Sequence, residues 1–133
     1  AEENIEEKGK ITNMISRAID YISQCYMEDI RIGDLAKACH ISETHFRRVF
    51  TSYMHMSPLE YINKVRIQTA CEILKKTDES IADIAYKCGF ITNSTFNRNF
   101  RQLMGMSPAE WRKRPENYEQ QLLKFDIHSE EGW

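Results

Sequence analysis

Apolar side chains recur along this chain at helical intervals, in short and separately bounded blocks. Ile11, Met14, Ile15, Ala18, Ile19 and Ile22 follow the i, i+3, i+4, i+7 spacing of an amphipathic helix. Leu35, Ala36 and Cys39 define a short helix with one apolar face, and a turn follows at His40-Ile41-Ser42. A longer helix then runs from about Glu43 to Met54, with Phe46, Val49, Phe50 and Tyr53 on its inner side. Leu59, Ile62, Val65, Ile73 and Leu74 mark a long helix from about 58 to 76, which Thr77-Asp78-Glu79-Ser80 ends. The short-turn-long pattern returns with Ile84, Ala85 and Cys88, a turn opening at Gly89-Phe90, and then Phe96, Phe100 and Leu103. Gly89 suits the positive φ wanted just past a helix end. Ser57-Pro58-Leu59-Glu60 and Ser107-Pro108-Ala109-Glu110 each place Ser at the N-cap, Pro at the first helical position and Glu at the third, the capping-box order. Seven helices and no sheet are predicted: an all-α fold.

Two of these blocks are copies of one another. Residues 35–61 and 84–111 align, with Leu35-Ala36 on Ile84-Ala85, Cys39 on Cys88, and Phe46, Arg48 and Phe50 on Phe96, Arg98 and Phe100. Met56-Ser57-Pro58 matches Met106-Ser107-Pro108, and Tyr61 matches Trp111. The offset is 49 before the central turn and 50 after it, so the second copy carries one extra residue there. Two copies make a tandem unit rather than a solenoid. The expected organisation is a linker remnant at 1–10, a first helix-turn-helix subdomain at 11–56, a linker helix at 57–77, a second subdomain at 78–113, and an acidic tail at 114–133.

Charge follows this organisation. The formal net charge is −2, made of −2 over residues 1–10, +3 over 11–113 and −3 over 114–133. A mildly basic centre permits a nucleic-acid partner without demanding one. No apolar run approaches the roughly 18 residues of a membrane span. Cys25, Cys39, Cys71 and Cys88 are separated by 14, 32 and 17 residues, without a CxxC pair or zinc-finger spacing. They read as buried thiols in a reducing cytoplasm. An enzyme would have to draw on these and on His40, His45, His55 and His128, which no nucleophile–base pair or metal spacing links. No catalytic residue, metal or cofactor is expected.

A short helix, a tight turn and a longer helix suit double-stranded DNA, because the second helix fits the major groove. Its outward residues should then be hydrogen-bonding types. They are Glu43, Thr44, His45, Arg47, Arg48 and Thr51 in the first copy, and Asn93, Ser94, Thr95, Asn97, Arg98 and Arg101 in the second. Arg pairs bidentately with guanine, Asn with adenine, and a Thr methyl meets the thymine methyl. The equivalence of Arg48 and Arg98 favours function over a merely solvated face. Phosphate contacts are expected from helix N-termini and from His45, Thr51, Lys64, Arg66, Lys75, Lys76, Lys87, Arg101 and Arg112. A linker helix of about 19 residues would span roughly 28 Å, near the ~34 Å between successive major-groove faces. That length predicts one monomer reading a non-palindromic site with both copies.

Taken together, these residues resemble the DNA-binding domain of AraC/XylS-type bacterial transcription regulators. The resemblance rests on Leu35-Ala36, Ser42, Phe46-Arg47-Arg48-Val49-Phe50, Ser57-Pro58 with Tyr61, and Arg66 with Ala70 and Leu74. In the second half it rests on Ile81-Ala82-Asp83-Ile84-Ala85, Gly89-Phe90, Phe96-Asn97-Arg98-Asn99-Phe100, Gly105-Met106-Ser107-Pro108 and Trp111-Arg112, and it covers about residues 11–113. It implies two helix-turn-helix units joined by a linker helix, promoter binding, and activation of transcription through contact with RNA polymerase. By position it puts base reading on Thr44, Arg47, Arg48, Asn93, Ser94, Thr95, Asn97 and Arg98. It also implies an N-terminal sensor or dimerisation domain beyond this chain. Two positions depart from the family pattern: His55 stands where a turn glycine matched by Gly105 is usual, and Arg31 replaces a small hydroxyl cap. A second reading, a helical protein-interaction module with only non-specific DNA affinity, rests on the tail, where Leu122, Leu123, Phe125, Ile127 and Trp133 lie among acids.

Overall fold

A computed structural model describes residues 2–116, with side chains from residue 5 onward. The tail residues 117–133, with His128 and the apolar positions named above, lie outside the described residues. Seven helices occur, α1 (Glu2–Cys25), α2 (Ile32–Ala38), α3 (Glu43–Met54), α4 (Pro58–Lys76), α5 (Ile81–Lys87), α6 (Asn93–Met104) and α7 (Pro108–Arg112), and no strand is present among the described residues. The all-α, seven-helix fold is therefore as the periodicity predicts. One boundary differs: α1 begins at Glu2 instead of near Ile11, so the stretch expected as a linker is helical. Residues 5–10 are exposed, Ile5 among them. Glu and Lys sustain a helix there by propensity, which leaves no apolar stripe for periodicity to detect.

The chain divides into two compact units between Ile62 and Asn63, inside α4. The long helix is thus shared rather than a free connector. In the first unit Ile15, Ala18 and Ile22 of α1, Leu35 of α2 and Phe46 and Phe50 of α3 are fully buried, with Tyr61 and Ile62 from the start of α4 beside them in the core. Phe50 meets Phe46 at 5.6 Å and Tyr61 at 5.9 Å, the latter edge-on. Burial pushes the Tyr61 phenol up to about 12. In the second unit Ile67, Ala70, Cys71 and Leu74 of α4 pack with Ile84, Phe90, Phe96, Phe100, Met104 and Trp111. Here too the aromatics form a chain, Phe90–Phe96 at 5.2 Å, Phe96–Phe100 at 5.7 Å and Phe100–Trp111 at 6.2 Å. The sequence repeat is thus a repeat of core geometry.

Two side chains assigned inward by spacing lie outside. Tyr53 is 39% exposed while Met54 is buried, because the stripe on α3 runs Phe46, Phe50, Met54 at i, i+4, i+8. At 100° per residue Tyr53 falls roughly 60° off the middle of that stripe. Leu59 is 56% exposed, since it precedes buried Tyr61 by two residues and so faces nearly the other way.

The caps explain where the helices start and stop. Ser57 and Glu60 form the full reciprocal box, Ser57 N–H to Glu60 Oε1 at 3.2 Å and Glu60 N–H to Ser57 Oγ at 3.1 Å. Ser107 Oγ accepts from Glu110 N–H at 3.1 Å. Arg31 precedes α2 without a side-chain cap bond, as its replacement of a hydroxyl residue predicts. His55 enters the left-handed region at φ 60°, where the equivalent Gly105 has φ 80°. The same exchange occurs at the earlier turn: His40 has φ 61° and its counterpart Gly89 has φ 97°.

Candidate nucleic-acid interface

Helix α3 is set by its cap and its stripe. Ser42 Oγ accepts the His45 N–H at 3.2 Å, and Phe46, Phe50 and Met54 turn one side into the core. The opposite side is left to Thr44, Arg47, Arg48 and Thr51, which with Ser52 line one open depression of about 570 Å³. Four residues expected at the interface are thus brought together on one surface. Ser52 is an addition. Its signal was in the sequence, since Thr44, Arg48 and Ser52 form an i, i+4, i+8 ridge beside Arg47 and Thr51. Arg47 Nε lies 3.6 Å from Glu43 Oε2, both side chains about half exposed. A surface i,i+4 pair contributes only ~0.3–0.5 kcal/mol, so this guanidinium is readily given up to a stronger acceptor. His45 is exposed as well.

Helix α6 repeats the arrangement with different chemistry. The Thr92 hydroxyl accepts from Thr95 N–H at 3.1 Å and donates to Thr95 Oγ1 at 2.9 Å. Phe96, Phe100 and Met104 are buried, leaving Asn93, Ser94, Arg98 and Arg101 exposed. Thr95 and Asn97 are half-buried. Asn97 Nδ2 donates to the Asn93 carbonyl at 2.9 Å with one of its two N–H groups. Thr95 serves the cap with its backbone N–H and its hydroxyl. The first turn of α6 holds no acid, whereas that of α3 holds Glu43. The positive end of the helix dipole is therefore less offset in the second unit.

The cations expected on phosphates are placed less uniformly. Arg112 is engaged within the fold. Its Nε donates to the Leu74 carbonyl at 3.0 Å, one terminal nitrogen to the Glu79 carbonyl at 2.7 Å and the other to that of Thr77 at 3.2 Å. It closes the end of α4 and the loop after it, which gives this cation a structural role as a clasp. The planar guanidinium offers five donors in a fixed fork, which suits three carbonyls at once. Lys87 is exposed and ion-paired with Glu79, and the hydrogen bond that it donates to that carboxylate raises its pKa. Lys75 and Lys76 both pair with Glu72, at 3.0 and 3.1 Å. Arg66 stands over the Phe90 ring, 5.8 Å from its centroid, a cation–π geometry. Thr51 and Arg101 stay on the exposed sides of their helices. Among the described residues no group of three His, Cys, Asp or Glu could hold a metal ion, and no helix is long and apolar enough to cross a membrane.

Against known proteins, residues 35–114 match a family model described as a helix-turn-helix domain. The transcriptional regulator Rv1931c of Mycobacterium tuberculosis is 37% identical over 83 residues, covering 62% of this chain and 32% of that protein. The lactose operon transcription activator of Staphylococcus xylosus is 31% identical over 98 residues, covering 74% and 35%. The chain thus spans about a third of the length of these relatives. Among solved structures, the DNA-binding domain of AdpA, a global transcriptional factor determined with a target DNA, superposes with a TM-score of 0.71 at 26% identity, covering 74% of this chain and 89% of that one.

Proposed function

Because this chain belongs to the AraC-type helix-turn-helix family of DNA-binding transcription regulators, we propose that it reads a specific double-stranded site with both of its units, α3 and α6 each entering a major groove. The observation that carries this is the twice-built recognition helix. Each has 12 residues, a hydroxyl cap, three buried side chains at i, i+4, i+8, and an outer face of hydrogen-bonding residues with an arginine at the repeat-equivalent position, Arg48 or Arg98. Base contacts fall to Thr44, Arg47, Arg48, Asn93, Ser94, Thr95, Asn97 and Arg98, and phosphate contacts to His45, Thr51, Lys87 and Arg101. The 19 residues of α4, roughly 28 Å of helix, suit two successive grooves on one face. The site is accordingly asymmetric, with two blocks about one helical turn apart.

Binding of this kind puts the protein at promoters in the bacterial cytoplasm, where it activates transcription by touching RNA polymerase. A relative is named as a transcription activator, which supports the sign. Matches that span a third of their relatives support a sensor or dimerisation domain elsewhere in the intact regulator. Selection from a randomised duplex pool, with affinity followed against salt, tests the reading. Enrichment of a two-block asymmetric site is expected. Weak, steeply salt-dependent binding without enrichment would overturn it and favour a protein-interaction module with only non-specific DNA affinity.

A further inference from the structure

We propose that Ile91 is a specificity-determining residue of the second unit, its side chain meeting the 5-methyl group of a thymine in the major groove. This rests on the DNA-binding reading above and adds a residue and a base to it. The two turns are equivalent up to one point. Ile41 N–H bonds the Ala36 carbonyl at 3.1 Å, and Phe90 N–H bonds the Ala85 carbonyl at 3.0 Å. Ser42 then caps α3 directly, whereas in the second unit Ile91 intervenes before the Thr92 cap of α6. Ile91 is therefore the extra residue of the second copy and has no counterpart in the first. Phe90 beside it turns inward and is 5% exposed, while Ile91 is 90% exposed, the highest value among the exposed large apolar side chains of the described residues.

An isoleucine in that position forgoes the burial that draws its type to interiors. Its neighbours along the chain are Thr92, Asn93 and Ser94, the opening residues of the recognition helix, and these are the ones that approach base edges. Residues 91–94 are all exposed, so Ile91 leads without a buried break into the opening turn of α6. The side chains that follow it, Thr92, Asn93 and Ser94, are hydrogen-bonding types, and the apolar feature that the major groove presents is the thymine methyl. An aliphatic side chain at this point recognises that group and no other part of a base edge. The first unit has no equivalent of Ile91, so this contact belongs to one block of the site alone.

The test uses the full chain and Ile91→Ser, an exposed substitution whose folding is checked by circular dichroism. The duplex selected by the wild-type chain is resynthesised with each thymine of the second unit's block replaced singly by deoxyuridine, which lacks the methyl. At one position the replacement should weaken wild-type binding about fourfold, the worth of one methyl group taken out of water, and leave I91S unchanged. Equal losses in both proteins at every position, or a block without thymine, would overturn the proposal while leaving two-unit DNA reading intact, and would assign Ile91 to a protein partner. Failure of the wild-type chain to select any site would overturn both.

Discussion

The two left-handed histidines offer a test of the fold that is independent of DNA. His40 and His55 sit at φ 61° and 60°, where the second unit has Gly89 and Gly105. Left-handed backbone costs an L-residue about 1–2 kcal/mol, and His lies toward the lower end because it is among the types enriched there. Glycine removes that strain but returns about 0.5 kcal/mol through the greater freedom of the unfolded chain. Each His→Gly change should then stabilise by about 0.5 kcal/mol, and the double variant His40→Gly/His55→Gly by about 1 kcal/mol. Both side chains are exposed, so little packing is lost. Gly105→Ala is the mirror experiment. An added Cβ meets nothing within 4 Å, so the cost is conformational alone and should reach about 1 kcal/mol. Urea unfolding by far-ultraviolet circular dichroism gives the values, and amide exchange attributes them to each unit. A double variant less stable than wild type, with unchanged m-value, would refute the strain argument and mean that the imidazoles hold their turns by contacts of their own.

Other expectations follow from the same geometry. Arg112→Ala should destabilise the second unit by about 2–3 kcal/mol, since a charged donor leaves three carbonyls at once, and Arg112→Lys should not restore it because an ammonium cannot reproduce the fork; denaturant midpoints decide. Phe50→Ala and Phe100→Ala should each cost about 3–5 kcal/mol, and amide exchange should show the loss in the unit that carries the substitution. Cys39, Cys71 and Cys88 are buried and Cys25 is half-buried. Burial raises all three buried thiols, Cys88 to about 12 even with Arg66 drawing it down. A thiol reagent at about pH 8 should therefore label Cys25 first and the others only at the rate of unfolding.

Much of this molecule was legible in the sequence because its helices are bounded by unambiguous chemistry. Ser57-Pro58 with Glu60, and Ser107-Pro108 with Glu110, state where helices begin, and the Phe pairs at i, i+4 state which side is inside. What escaped had no local signature. Glu2 to Lys10 is helical without an apolar stripe. Met54 rather than Tyr53 continues the α3 stripe, a choice that the spacing of Phe46 and Phe50 does not make, since i+7 and i+8 flank that pair at comparable angles. Arg112 looked like a free surface cation, because its carbonyl partners at Leu74, Thr77 and Glu79 lie more than thirty residues away in the chain. At the interface, Thr44, Arg47, Arg48 and Thr51 could be placed on one surface from spacing alone. Ser52 could have been added by the same rule, and Ile91 only by asking where the inserted residue points.

The central claim is that the two units read two separate blocks of one site. Arg48→Ala and Arg98→Ala test it most directly, in parallel selections from the same randomised duplex pool followed by affinity measurement on the wild-type site. Each variant should lose about 1–3 kcal/mol of specific affinity and relax preference in its own block only, the two blocks lying about one helical turn apart. Loss of preference in the same block for both variants, or uniform weakening across all sequences, would contradict bipartite reading.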